Sequence, residues 1–182
     1  NFLINQGSSG LVSCGTTGES PTLDHDEHMK VNEFIIEKVK KRVPVMAGCG
    51  SNSTKESQEL VQHAASVGAD ATLLVSPYYN KPTQSGLYEH FSSIAKVVPE
   101  IDIFLYNIPG RSVVNINLDT MKKLSEIKNI VGVKDATADL SLPIETELTC
   151  GPNFIQLSGE DATFLPFLLS GGVGCISVTA NI

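Results

Sequence analysis

The sequence predicts an α/β protein of the (β/α)8 TIM barrel type, on three observations. Seven short apolar runs recur at residues 10–14, 43–47, 71–75, 101–106, 130–134, 154–157 and 174–178. Longer segments with helical period lie between most of them, at residues 26–41, 54–67, 84–97 and 118–127. Almost every run ends in polar or reactive residues, the position where barrel proteins build their sites. Continuous Val/Ile/Leu runs joined by helical crossovers imply a parallel sheet covered by helices. A doubly wound sheet shares that alternation. The spacing of about 30 residues over the first five runs, and the lack of GxGxxG after any run, favour the barrel.

Residues 1–7 read as the tail of a helix stopped by Gly7, with no initiator Met before them. Seven runs preceded by a helix tail imply that a first βα unit lies upstream. The chain stops at Ile182 directly after the last run. The expectation is therefore one partial barrel domain over residues 1–182, lacking the first βα unit and everything after the last strand. No linker, low-complexity tract or second domain interrupts it.

Composition narrows the function. At 182 residues, with 41% hydrophobic and 18% charged residues, the chain can bury a sizeable core. A net charge of -7 and a pI near 5.0 argue against nucleic acid or an anionic membrane as the main partner. The apolar runs are too short to span a bilayer, and no signal-peptide pattern opens the chain, so a cytoplasmic protein is expected. The four cysteines (Cys14, Cys49, Cys150, Cys175) have no CxxC spacing and read as free thiols rather than disulfides or zinc ligands.

The first run leads into Gly15-Thr16-Thr17-Gly18-Glu19-Ser20. Its hydroxyls and consecutive backbone N–H groups can bind a carboxylate or pass a proton. The same residues also read as a helix cap, with Ser20 or Thr22 leading into residues 24–27. After the third run, Ser76-Pro77-Tyr78-Tyr79-Asn80-Lys81-Pro82 sets two tyrosines in a stiff loop, where they suit packing, proton transfer or an interface. After the fourth, Tyr106 stands at a strand end and Arg111, one of two arginines in the chain, follows in the loop. A guanidinium there suits a substrate carboxylate, or an ordinary salt bridge.

The fifth run is the most informative. Ten of the eleven lysines lie in polar, helix-like or loop surroundings, whereas Lys134 follows the apolar residues 130–133. Burial disfavours an ammonium and lowers its pKa from roughly 10.4, leaving neutral amine near pH 7. Such an amine attacks carbonyl carbons and forms Schiff bases. The alternative is a lysine that snorkels out to pair with Asp135 or another carboxylate. Lys134, Tyr106 and the Thr16–Thr17 pair at strand ends of a barrel would converge on one pocket, which favours imine chemistry of the aldolase type. No HxxxH or acidic cluster has metal-ligand spacing, so no metal and no cofactor is expected.

Six motifs, GTTGES, SPYYNKPTQ, YNIPGRS, GVKDAT, LSGED and GCISVTAN, follow one another in an order and spacing that resemble the dihydrodipicolinate synthase (4-hydroxy-tetrahydrodipicolinate synthase) family over essentially the whole chain. The resemblance implies a class I lyase that condenses pyruvate with L-aspartate 4-semialdehyde in lysine and diaminopimelate biosynthesis. It implies that Lys134 forms the Schiff base, that Tyr106 is general acid and base, and that Thr16 relays the proton. Tyr79 would complete the relay from a neighbouring subunit. Thr17 would hold the pyruvate carboxylate and Arg111 that of the semialdehyde, while the backbone at Gly159 and Ile176 would line the lysine's pocket. Ser20, His25, His28, Asn52, Glu56 and Tyr78 match positions where lysine-inhibited members bind L-lysine. In that set, His25 and His28, one turn apart, also read as ordinary surface residues. A homotetramer is implied for the intact protein. The resemblance extends to N-acetylneuraminate lyase, which shares the lysine and tyrosine but lacks an arginine in this loop, so Arg111 favours the synthase. A non-catalytic amino-acid-binding paralogue or an inert fragment is the remaining expectation from a different class.

Overall fold

The computed structural model describes residues 1–182. Seven parallel strands form one sheet in the order of the sequence: β1 Leu11–Ser13, β2 Val45–Gly48, β3 Ala71–Val75, β4 Asp102–Asn107, β5 Ile130–Asp135, β6 Ile155–Ser158 and β7 Gly174–Cys175. That order has no reversal, which sets it apart from a doubly wound sheet, and the strands curl into part of a barrel with β1 and β7 as its edges. The helices are α1 Phe2–Asn5, α2 His25–Val39, α3 Thr54–Ser66, α4 Gln84–Val97, α5 Pro109–Ser112, α6 Leu118–Ser125, α7 Leu142–Cys150 and α8 Phe164–Leu169.

The pleat sends alternate side chains to two different cores. On one face Ala47, Leu74, Ile103, Leu105 and Val133 pack with Leu60 and Val61 of α3, Leu87, Phe91 and Ile94 of α4, and Leu124 of α6. On the other face Met46, Leu73, Phe104, Val131, Leu157 and Ile176 form a cluster that contains no helix residue, the interior of the curled sheet. Gly132 lies on that inner face beside a register shift between Ile103 and Phe104. A Cβ there would come within 2.3 Å of the Ile155 carbonyl oxygen and 2.8 Å of the Phe104 ring, so only glycine lets β5 and β6 approach at this level.

All seven expected strands are present, with boundaries moved by local chemistry. The second starts at Val45, where the Asp70 carboxylate accepts the Val45 amide at 2.8 Å. The last is only two residues long: its final pair is Cys175 with Ser158, the Ile176 amide makes one more bond to the Ser158 carbonyl, and the Val178 and Thr179 amides turn to the Asp161 carboxylate. The expected cap at Ser20 or Thr22 is corrected: Asp24 caps α2 in a reciprocal box with Glu27 (2.8 and 3.2 Å), and residues 20–22 form a separate 3-10 turn. Residues 1–7 do form a short helix, and Gly7 follows it with φ of +100°. Three helices had no clear signal. α5 is one turn, α8 is apolar throughout, and α7 leaves Ile144 and Leu148 exposed, so none carries a clean helical stripe.

Candidate active site

The C-terminal ends of β4, β5 and β6 are joined in a stepped ladder. Tyr106 on β4 pairs with Lys134 on β5, Lys134 with Leu157, and Asp135 with Ser158 on β6. The chain beyond each strand continues the pattern, with the Ala136 amide on the Asn107 carbonyl (2.9 Å), Gly159 on Asp135 (2.6 Å) and Ile176 on Ser158 (2.8 Å). These bonds fix the backbone at the residues that carry the chemistry.

Lys134 is buried on the inner face, with its Nζ 4.1 Å from the centroid of the Tyr106 ring. Burial lowers its pKa to about 8, against weaker opposing pulls from Cys175 and Asp161. The alternative in which Lys134 snorkels out to pair with Asp135 or another carboxylate is corrected, since the side chain is buried and makes no ion pair. Neighbouring strand residues point to opposite faces, and Asp135 Oδ1 instead accepts from the Thr137 amide and hydroxyl, both at 2.7 Å. Room for the lysine depends on Gly159. A Cβ at that position would stand 2.8 Å from Lys134 Cε and 2.9 Å from Ala136 Cβ. Ile176 packs in the same interior cluster.

Tyr106 is buried, and burial raises its phenol pKa, opposed by the Thr16 hydroxyl and the Arg111 guanidinium. Thr16 is half-buried in the turn after β1 and Thr17 beside it is exposed. The turn is closed by Gly18 and Glu19 amides donating to Gly15 and Thr16 carbonyls, while the Thr16 and Thr17 amides have no protein partner. Arg111 lies in α5, exposed and in no ion pair, so the salt-bridge alternative finds no partner. Its loop is anchored below by the buried Asn107, which donates to Asn115 Oδ1 at 2.7 Å and accepts the Ile116 amide at 3.1 Å.

A cavity of about 420 Å³ opens at the C-terminal ends of β1 to β4, with no wall from β5 or β6. Thr16, Tyr106 and Arg111 line it, together with Ser20, His25, His28, Glu56 and Tyr78, so residues assigned to two separate roles face one space. Lys134 does not reach this wall; it packs on the Tyr106 ring, which does. Asn52 lies outside the lining, its carbonyl accepting from the Asn80 side chain at 3.1 Å. Tyr79 is also outside, 87% exposed and held at φ of +72°. Thr17, Gly159 and Ile176 are not on the cavity wall either.

The surface reading of His28 is corrected. It is buried, its Nε2 lies 2.7 Å from the Gly48 carbonyl oxygen, and burial lowers its pKa. His25, by contrast, is exposed, with Nε2 3.8 Å from Glu56 Oε2, which also accepts from Ser51 Oγ at 2.6 Å. Ser51 and Cys14 also line the cavity, and the sequence singles out neither as a site residue. All four cysteines are free; Cys14 and Cys49 are buried, and burial pushes the Cys14 thiol up to about 11.

The arrangement supplies an amine poised near neutrality, a phenol against it, hydroxyls, free amides and an unpaired guanidinium. Comparison with known proteins shows the family. The model of the dihydrodipicolinate synthetase family matches residues 1–182. A 4-hydroxy-tetrahydrodipicolinate synthase of Bradyrhizobium diazoefficiens is 59% identical over 182 residues, which are 100% of this chain and 61% of that protein. The solved dihydrodipicolinate synthase of Acinetobacter baumannii, complexed with pyruvate, superposes with a TM-score of 0.96 at 48% identity, covering 100% of this chain and 62% of that one. The synthase of Cyanidioschyzon merolae with lysine bound gives 0.95 at 41% identity, over 98% of this chain and 61% of that one. The chain thus spans about 61% of the length of such relatives.

Proposed function

The chain belongs to the dihydrodipicolinate synthetase family, and from that premise we propose that the protein carrying it condenses pyruvate with L-aspartate 4-semialdehyde through a Schiff base on Lys134. The observation that carries this reading is the buried amine, its pKa lowered to about 8, set against the Tyr106 ring at the end of β5.

The neutral Lys134 amine attacks the pyruvate keto carbon, and loss of water from the carbinolamine gives a protonated imine. That imine acidifies the methyl group. A proton leaves, and the resulting enamine forms the new carbon–carbon bond to the aldehyde carbon, whose oxygen takes up a proton. Attack by the amino group of the condensed chain on the imine carbon then cyclises the product and releases Lys134. Tyr106 gives and takes the protons, with Thr16 as the relay. The exposed Tyr79 reaches into a second copy of the chain to complete that relay, which requires an oligomer, a homotetramer in the intact protein. The unpartnered amides of Thr16 and Thr17, with the Thr17 hydroxyl, hold the pyruvate carboxylate. Arg111, free of any acidic partner, takes the carboxylate of the semialdehyde. L-Lysine binds among Ser20, His25, His28, Asn52, Glu56 and Tyr78 as an inhibitor, with Glu56 meeting an ammonium. A similar protein crystallised with lysine bound supports L-lysine as the ligand. This reading places the chemistry in the cytoplasm. No helix of the chain is long and apolar enough to cross a membrane.

Arg111 separates this reading from an N-acetylneuraminate lyase on the same scaffold. A full-length protein carrying these residues, assayed with pyruvate and either L-aspartate 4-semialdehyde or N-acetylmannosamine, should consume the semialdehyde at least a hundredfold faster. A preference for the sugar would assign the lyase, and turnover of neither would assign a non-catalytic binding protein.

A further inference from the structure

The segment LSGED ends in an acid whose partners lie far away in sequence. Most carboxylates that accept amides in this chain do so locally: Asp24 serves the amide of Glu27, Asp139 that of Ser141, and Glu160 that of Ala162, while Asp70 takes one distant amide, that of Val45. Asp161 differs. Its Oδ2 accepts the amides of Val178 (2.8 Å) and Thr179 (3.2 Å), its Oδ1 accepts the Ser177 hydroxyl, and the Cys175 thiol lies 3.9 Å from the same oxygen. One carboxylate thereby binds the loop after β6 to the segment after β7.

Both segments form walls of the lysine's pocket. Gly159, two residues before Asp161, lies so close to Lys134 that a single added carbon would meet Lys134 Cε at 2.8 Å. Ile176 lies between Cys175 and Ser177, both in contact with Asp161, and packs in the interior cluster that also holds Tyr106. At this height the Ile176 amide also donates to the Ser158 carbonyl, at the end of β6.

We propose that Asp161 is a positioning residue for Lys134: by clamping residues 177–179 to the loop at 159–161 it fixes the pocket wall in which the amine meets its keto substrate. This rests on the reading of Lys134 as the imine-forming amine. The charge has a second effect, because the carboxylate favours the Lys134 ammonium and disfavours a Cys175 thiolate. Besides Asp161 and Cys175, the titratable group facing Lys134 is Tyr106 from β4; Asp135 points to the opposite face and is held by Thr137.

The test follows pyruvate-dependent, borohydride-fixed labelling across pH 6–10 by intact mass, in a full-length protein carrying these residues. Asp161→Asn should slow labelling roughly tenfold, since small displacements of a reacting group are costly, and should move the midpoint of the pH profile downward. Ser177→Ala, which removes one partner and leaves the charge, should slow labelling less and leave the midpoint in place. Wild-type rate and midpoint in Asp161→Asn would overturn the proposal. So would an unslowed Ser177→Ala, the deciding variant if Asp161→Asn does not fold. A parent protein that takes no label would overturn the Lys134 reading itself, a result distinct from either.

Discussion

The Nζ of Lys134 sits 4.1 Å above the centroid of the Tyr106 ring, and the two residues are register partners on adjacent parallel strands. Paired residues of a parallel ladder point the same way, so β4 and β5 deliver a phenol and an amine to one place without help from any loop. Placing the amine in the barrel interior also removes its hydration. The same burial that makes the lysine nucleophilic therefore costs stability.

That cost is measurable. With a folded pKa near 8 against roughly 10.4 unfolded, the unfolded chain binds more protons between those values, so Lys134 destabilises the fold fully below pH 8 and ceases to do so as pH rises toward 10.4. Lys134→Met should stabilise the protein at pH 7 by on the order of 1–3 kcal/mol while abolishing activity. The gain should shrink between pH 8 and 10.4, as read by denaturant unfolding at several pH values.

Gly159→Ala should fold and fail. The added methyl would overlap Lys134 Cε and Ala136 Cβ, and relieving it would cost about 1–3 kcal/mol. Imine formation should drop at least tenfold with secondary structure retained in circular dichroism. An unslowed variant would show that the lysine has more room than the backbone suggests.

Arg111→Lys keeps the charge and loses the planar fork. The expected result is a KM for the semialdehyde raised tenfold or more, with pyruvate labelling of Lys134 within twofold of the parent. Equal losses for both substrates would place Arg111 in the fold of α5 rather than on the second substrate.

The polar residues sharing the cavity with Tyr106 make a specific forecast for regulation. Millimolar L-lysine should lower the rate of the parent protein severalfold, and Glu56→Gln should lose that response. Glu56 is half-exposed and anchored by Ser51 and His25, so replacing its charge removes the counterion for an ammonium without opening the core. A rate unchanged by L-lysine in the parent would remove the regulatory assignment.

The fold was legible wherever apolar runs were continuous. β3 and α4 run between the expected residues, because an uninterrupted Ala71–Val75 run and a Thr83 cap before Gln84 leave little choice. Legibility failed where tertiary partners decided. β7 stops after Cys175 because Asp161 captures the amides that would extend the segment, and nothing within residues 174–178 announces that. α7 and α8 lacked an amphipathic stripe. In the site, Lys134 was visible as a polar residue ending an apolar run. The burial of His28 was not, since His28 lies in α2 and its partner, the Gly48 carbonyl, at the end of β2. Asp161 was hidden inside a quoted motif, because the donors that give it a role lie 14 to 18 residues away.

The central claim is that Lys134 is the amine that binds pyruvate, and chemical trapping tests it most directly. Pyruvate and borohydride would be added to a full-length protein carrying these residues and to its Lys134→Ala variant, followed by intact-mass analysis and peptide mapping. The account predicts one reduced pyruvyl adduct, on the peptide containing Lys134, absent from the variant. An adduct on another lysine, or an equal adduct in the variant, would contradict it.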